Sequence, residues 1–170
     1  QEYTGYFAKV EAHKIDQALD IVSDLYLNPV FDVTEIEKEK GVVVEELNMY
    51  EDLPMRKVND LFMELLYGDQ PAGWDIGGTK EVVRSLTKDQ ITLYRTAHYV
   101  PQATVVVVAG AFDETDIIQK IEAAFGAIPT GIKSGKAAVT EAQTAPQVFM
   151  KKKAVDQTHI MLGCRAFSAF

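Results

Sequence analysis

Glu39 and Glu46 stand seven residues apart in the stretch Thr34-Glu-Ile-Glu-Lys-Glu-Lys-Gly-Val-Val-Val-Glu-Glu-Leu-Asn-Met-Tyr-Glu51. Seven residues are almost two helical turns, so on a helix both carboxylates project from one face. Glu35 falls near the same stripe, with Val42, Val43 and Tyr50 around it. A carboxylate in apolar company is costly to bury unless a metal, an arginine or hydrogen-bond donors meet it. The stripe is therefore a candidate site. Its competitor is a solvated helix face supported by pairs such as Glu35 with Lys38.

Other chemistries find few residues to work with. The three histidines, His13, His98 and His159, are too far apart for a helical HExxH zinc motif. His98 closes a helix, where an imidazole complements the helix dipole, and His159 alternates with apolar neighbours on an expected strand. No Gly-x-Ser-x-Gly elbow supplies a serine nucleophile. The single cysteine, Cys164, excludes an internal disulfide, and its apolar run Ile160-Met-Leu-Gly-Cys164 marks it as a small core residue.

The elements that must position the stripe follow from periodicity and breakers. Tyr3 to Val10, aromatic and β-branched, reads as a strand. Ile15, Ala18, Leu19, Val22, Leu25 and Tyr26 recur at helical spacing until Asn28-Pro29 stops them. Thr34 with Glu37 forms a capping-box pattern that opens the acidic helix, although Gly41 to Val44 are poor helix formers. Pro54 starts a helix with Val58, Leu61, Phe62, Leu65 and Leu66 on its buried face. Tyr67 to Gly78 is a glycine-rich loop without a phosphate-binding pattern, followed by a short helix from Thr79 to Arg84. Thr87 with Gln90 opens a helix that runs to about His98. Ala103 to Gly110 reads as a fully buried strand, and Asp113 caps a helix carrying Ile117, Ile118, Ile121 and Phe125 up to Gly126. Thr130 to Pro146 is a linker, and Val148–Lys153 and Thr158–Arg165 read as two further strands.

This pattern predicts an α+β fold, a layered sheet with flanking helices, rather than a regular βαβ alternation. With 170 residues, 47% of them hydrophobic, the chain suffices for one domain or one domain and part of another. Its net charge of −8 and the short run Lys151 to Lys153, expected on a solvated strand edge, do not point to nucleic acid. No apolar run approaches the roughly 18 residues of a membrane span, and no signal peptide is visible. Beginning at Gln1 and stopping within a strand-like run at Phe170, the sequence reads as cut at both ends.

Taken together, Ala18-Leu-Asp-Ile-Val-Ser-Asp-Leu25, Asn28-Pro-Val-Phe31 and Glu35 to Leu47 resemble the pitrilysin/insulinase family of zinc metallopeptidases, which includes the mitochondrial processing peptidases. Asp52-Leu-Pro54, Gln70-Pro71 through Gly77, His98-Tyr99, Val105 to Gly110, Phe125-Gly126 with Ile128-Pro129, and Gln157 to Leu162 continue the match in order. The resemblance implies a metallohydrolase roll of the processing-peptidase type, incomplete at both ends. Residues 1–129 would be the later part of the first, zinc-ligand-bearing domain, 130–146 the linker, and 147–170 the opening strands of the second domain.

In that family two histidines of a His-x-x-Glu-His motif and a downstream glutamate hold zinc, while the motif's own glutamate is the general base. The resemblance assigns the downstream metal ligand to Glu46, with Glu39 supporting it; Glu45 would point about 100° away around the helix. The inverted motif itself is absent, so no catalytic base lies in this segment, and the 170 residues alone are expected to be inactive. The implied activity of the complete protein is zinc-dependent hydrolysis of unfolded peptides, which add as strands to a sheet edge. Tyr3 to Val10 is a candidate for that edge. Implied partners are the peptide substrate and a second subunit, as homodimer or heterodimer. The compartment stays open, with a slight preference for the cytoplasm. The alternatives are a non-catalytic subunit of the same fold and an unrelated domain whose acidic helix is a solvated face.

Overall fold

Helices bear out the periodic pattern closely. The computed structural model describes residues 3–133, 135–154 and 156–166, and its chain divides into two compact units, residues 1–33 with 87–135 and residues 34–86 with 136–170.

In the first unit, α1 (Ile15–Leu27) packs against α6 (Glu114–Phe125), and α5 (Lys88–His98) lies between them in sequence. Their starts are written in short polar residues. The Thr87 hydroxyl accepts from Gln90 N while the Gln90 side chain accepts from Thr87 N, the full reciprocal cap expected from sequence. Asp113 accepts from Asp116 N at the start of α6. The core gathers around Tyr26, whose ring meets those of Tyr6, Tyr99 and Phe125 at centroid distances of 5.9, 5.2 and 6.1 Å. Its hydroxyl bonds Thr104 Oγ1 at 2.6 Å. Burial and the hydroxyl of Tyr6 push the Tyr99 phenol up to about 12. Val100 and Ile117 of the same unit are buried, whereas Ile118, expected among the apolar residues of an amphipathic α6, is 48% exposed.

The second unit holds α2 (Val33–Glu51), α3 (Pro54–Tyr67) and α4 (Lys80–Ser85). Pro54 occupies the first turn of α3, where its missing N–H costs nothing, and Val58, Leu61, Phe62, Leu65 and Leu66 are half-buried along one face. α2 begins at Val33, so Thr34 lies within its first turn and is not the cap that the Thr34–Glu37 pattern suggested.

The expected strands are the main correction. Among the described residues no segment pairs into a β-ladder, so a layered α+β sheet is not what they form. Tyr3–Val10, Val148–Lys153 and Thr158–Arg165 carry no helix among their described residues, and of Ala103–Gly110 only Ala103 does, as the last residue of a short 3-10 turn, Pro101–Ala103. Ala103–Gly110 is not fully buried either: Val105 and Val107 are 84% and 79% exposed, while Thr104, Val106 and Val108 between them are half-buried. A valine run specifies an extended, alternating backbone, but a ladder also needs a neighbour to take its N–H and C=O groups. The last residues of the expected second-domain segment 147–170, residues 167–170, lie outside those described. Cys164, expected in the core, is exposed.

Candidate functional site

α2 forms in spite of Gly41 and three consecutive valines because one of its faces is packed. Val44 is buried, and Ile36, Lys40, Val43, Leu47 and Tyr50 are half-buried. These positions recur at helical spacing and leave the rest of the cylinder to solvent. Glu35, Glu39, Val42, Glu46 and Met49 are all exposed and follow one another along a flanking stripe. Glu39 and Glu46 are about 20° apart around the axis, and Glu45 is about 100° from Glu46.

The shared face of Glu39 and Glu46 is therefore present, but its apolar company differs from expectation. Val43 and Tyr50 belong to the packed side, with the Arg56 guanidinium 3.3 Å from the Tyr50 ring centroid. The apolar neighbours on the stripe are Val42 and Met49, each about half exposed.

The lysines of α2 do not neutralise these two carboxylates. Lys38 Nζ donates to Glu35 at 2.6 Å, and Lys40 Nζ donates to Glu37 at 2.5 Å and to the Arg84 carbonyl at 3.3 Å. Among the described residues, the side chains of Glu39 and Glu46 make no hydrogen bond or ion pair. A solvated face laced by ion pairs thus describes Glu35 and Glu37, and leaves Glu39 and Glu46 with their oxygens available.

Zinc takes four ligands in its structural sites and three protein ligands in most catalytic ones. Among the described residues no three His, Cys, Asp or Glu side chains converge, and His13, His98 and His159 join no such group. The carboxylate of Glu46 fits one ligand position, and the described residues do not complete a set of three around it. A cavity of about 380 Å³ along α3, lined by Phe62, Leu66, Gln147, Gly163, Cys164 and Arg165, includes neither glutamate.

Sequence reasoning missed a charge cluster at the C-terminal end of α2. Glu51 accepts on Oε2 from Lys57 at 2.8 Å and on Oε1 from Lys151. Lys153 Nζ donates to Asp52 at 2.8 Å and to the Glu51 carbonyl at 2.9 Å. Lys151, foremost, and Lys57 hold the Glu51 carboxyl down at about 2, and Glu51 in turn raises Lys57. The run Lys151 to Lys153 is therefore more than a solvated edge, because two of its lysines bind another element. A signal was available: α2 ends in an acidic residue with no basic residue in its last turn, the wrong sign for a helix C-terminus.

Comparison with known proteins places the stripe in context. The model of the insulinase family, peptidase family M16, matches residues 1–80, and that of the peptidase M16 inactive domain matches residues 85–169. An uncharacterized zinc protease of Bacillus subtilis, YmxG, is 36% identical over 96% of this chain and 39% of its own length. The β subunit of the mitochondrial-processing peptidase of Saccharomyces cerevisiae is 29% identical over 99% of this chain and 37% of its own. The chain thus spans well under half the length of these curated relatives. A crystal structure of a putative M16-like peptidase from Alicyclobacillus acidocaldarius superposes with a TM-score of 0.64 at 30% identity, covering 71% of this chain and 28% of that one. A protease from Helicobacter pylori shares the fold with a TM-score of 0.67 at 17% identity, covering 76% of this chain and 32% of that one.

Proposed function

The chain belongs to the insulinase family of peptidases, family M16, and from that premise we propose that it is the glutamate-bearing part of a zinc-dependent endopeptidase acting on unfolded peptides. The observation that carries this reading is the pair of exposed carboxylates, Glu39 and Glu46, left without partners on one face of a helix whose lysines are engaged elsewhere. In this reading Glu46 holds the metal with a carboxylate oxygen, and Glu39, two turns earlier, orients or charges the same face. Zinc, when bound, lowers the pKa of a water and polarises the scissile carbonyl. The remaining ligands and the general base come from polypeptide outside this chain, so residues 1–170 by themselves cleave nothing. In the same reading residues 147–170 open a second domain, after the linker 130–146.

A second reading has one observation in its favour: the family model matching residues 85–169 is that of an inactive domain. A non-catalytic subunit of the same fold, serving as scaffold or substrate-binding half in a homodimer or heterodimer, would present the same helices. The experiment that separates the two is hydrolysis of an unfolded peptide by the protein expressed from its complete reading frame. The enzyme reading expects cleavage that a chelator abolishes and Glu46→Gln cuts by at least about tenfold. Cleavage unaffected by Glu46→Gln would defeat it, and a pure protein with no activity would favour the scaffold.

A further inference from the structure

The C-terminal end of α2 shows how its last turn is held. A helix leaves its last four carbonyls without intrahelical donors. In α2 these belong to Asn48, Met49, Tyr50 and Glu51. Asp52 N serves Asn48 at 3.1 Å and Met49 at 3.2 Å, and Leu53 N serves Tyr50 at 3.1 Å. The fourth, Glu51, receives a side chain from a hundred residues along the chain, the Nζ of Lys153 at 2.9 Å.

The charges point the same way. The second half of α2 carries Glu45, Glu46 and Glu51 and no basic residue in its last turn, so its own side chains add negative charge to the negative end of the helix dipole. Gly41 and the valines that follow it lower the intrinsic helicity of the same half. The compensating cations come from other elements: Lys57 from α3, and Lys151 and Lys153 from the segment after the linker.

We propose that Lys151 and Lys153 are positioning residues for Glu46: by capping and neutralising the C-terminal turn of α2, they fix the helix face that presents this carboxylate. The physical path is short. The carbonyl of Glu46 lies four residues before Tyr50 N, so the intrahelical bond that sets the backbone of Glu46 closes within the turn that Lys153 caps. If residues 48–51 unwind, that bond is lost, and the direction of Glu46 with it. The arrangement couples the segment beyond the linker to the metal-binding face through contacts to Glu51 and Asp52. The inference rests on Glu46 being a ligand, as proposed above, and goes beyond it in assigning what holds the ligand in register.

The test uses the protein from its complete reading frame, with zinc affinity measured by competition against a chromophoric chelator. Lys151→Met/Lys153→Met keeps much of the apolar stems and removes the charges. It should weaken zinc binding by at least about tenfold. Hydrogen exchange at the amides of Tyr50 to Asp52 should accelerate, while the global unfolding midpoint stays within a few degrees. Lys151→Arg/Lys153→Arg should restore zinc affinity to within about threefold, a rescue that a packing defect would not show. Glu46→Gln is measured beside them. If Glu46→Gln abolishes zinc binding and the Met pair leaves it intact, the positioning role is overturned and the ligand assignment stands. If Glu46→Gln leaves zinc binding intact, both fall.

Discussion

The side-chain amide of Gln70 meets the backbone of Thr140 as a neighbouring strand would: Nε2 donates to the Thr140 carbonyl and Oε1 accepts from Thr140 N, both at 2.9 Å. The same Nε2 also donates to Tyr67 O at 2.5 Å, at the end of α3. One glutamine thus ties a residue of the expected linker to the loop that follows α3. Arg165, one residue's reach away at Glu141, adds a donor to the Leu66 carbonyl.

Replacing this amide should loosen the segment without unfolding the unit. Gln70→Ala removes three hydrogen bonds and is expected to cost about 2–3 kcal/mol, since each net hydrogen bond is worth about 1 kcal/mol. Gln70→Glu keeps the acceptor but sets a carboxylate oxygen against the Tyr67 and Thr140 carbonyls, and should cost at least as much. Urea unfolding would check both, with limited proteolysis showing faster cleavage near Thr140.

Arg95 performs for α1 what Lys153 performs for α2. Its guanidinium donates to the carbonyls of Tyr26 at 2.5 Å and Leu27 at 2.8 Å, at the end of a helix with no basic residue in its own last turn. Arg95→Lys keeps the charge but withdraws the Nη2 that serves both carbonyls from the end of a longer side chain, and should cost about 1–2 kcal/mol. Arg95→Met, which leaves both carbonyls without their donor, should cost more. Thermal unfolding of the three proteins would rank them, and equal midpoints for the native protein and the Lys variant would contradict a need for the guanidinium.

The Glu51 cluster makes a statement about acid. Its folded carboxyl is held down at about 2, from an ordinary value of 4.5, chiefly by Lys151 and then Lys57. A depressed carboxylate stabilises the fold fully above its unfolded pKa and loses that contribution as pH falls toward the folded one, here between about 4.5 and 2. Glu51 is 39% exposed, so solvent screening limits the effect to under about 1 kcal/mol. Stability measured from pH 6 down to 3 should therefore decline more steeply for the native sequence than for Glu51→Gln. Parallel curves would show that the three side chains do not act as a unit.

These contacts also show what could be read from sequence and what could not. Helices announced themselves through local chemistry: Pro54 at the first turn of α3, the Thr87–Gln90 box, Asp113 before α6, and Asn28-Pro29 after α1. The stripe of Glu39 and Glu46 followed from the helical period alone. Strand pairing did not, because a valine run such as Val105–Val108 states a backbone preference while its neighbour is a matter of tertiary structure. The capping cations were hidden for the same reason. Lys153 lies a hundred residues from the carbonyl it serves, and only the mismatch between the acidic end of α2 and its dipole hinted that a cation was needed.

The central claim is that Glu46, and not its neighbour, is a metal ligand. Zinc per subunit should be measured in the protein from its complete reading frame, beside Glu46→Gln and Glu45→Gln. About one zinc is expected in the native protein and in Glu45→Gln, with a loss or severe weakening in Glu46→Gln. Equal zinc content in the two variants, or none in the native protein, would contradict it.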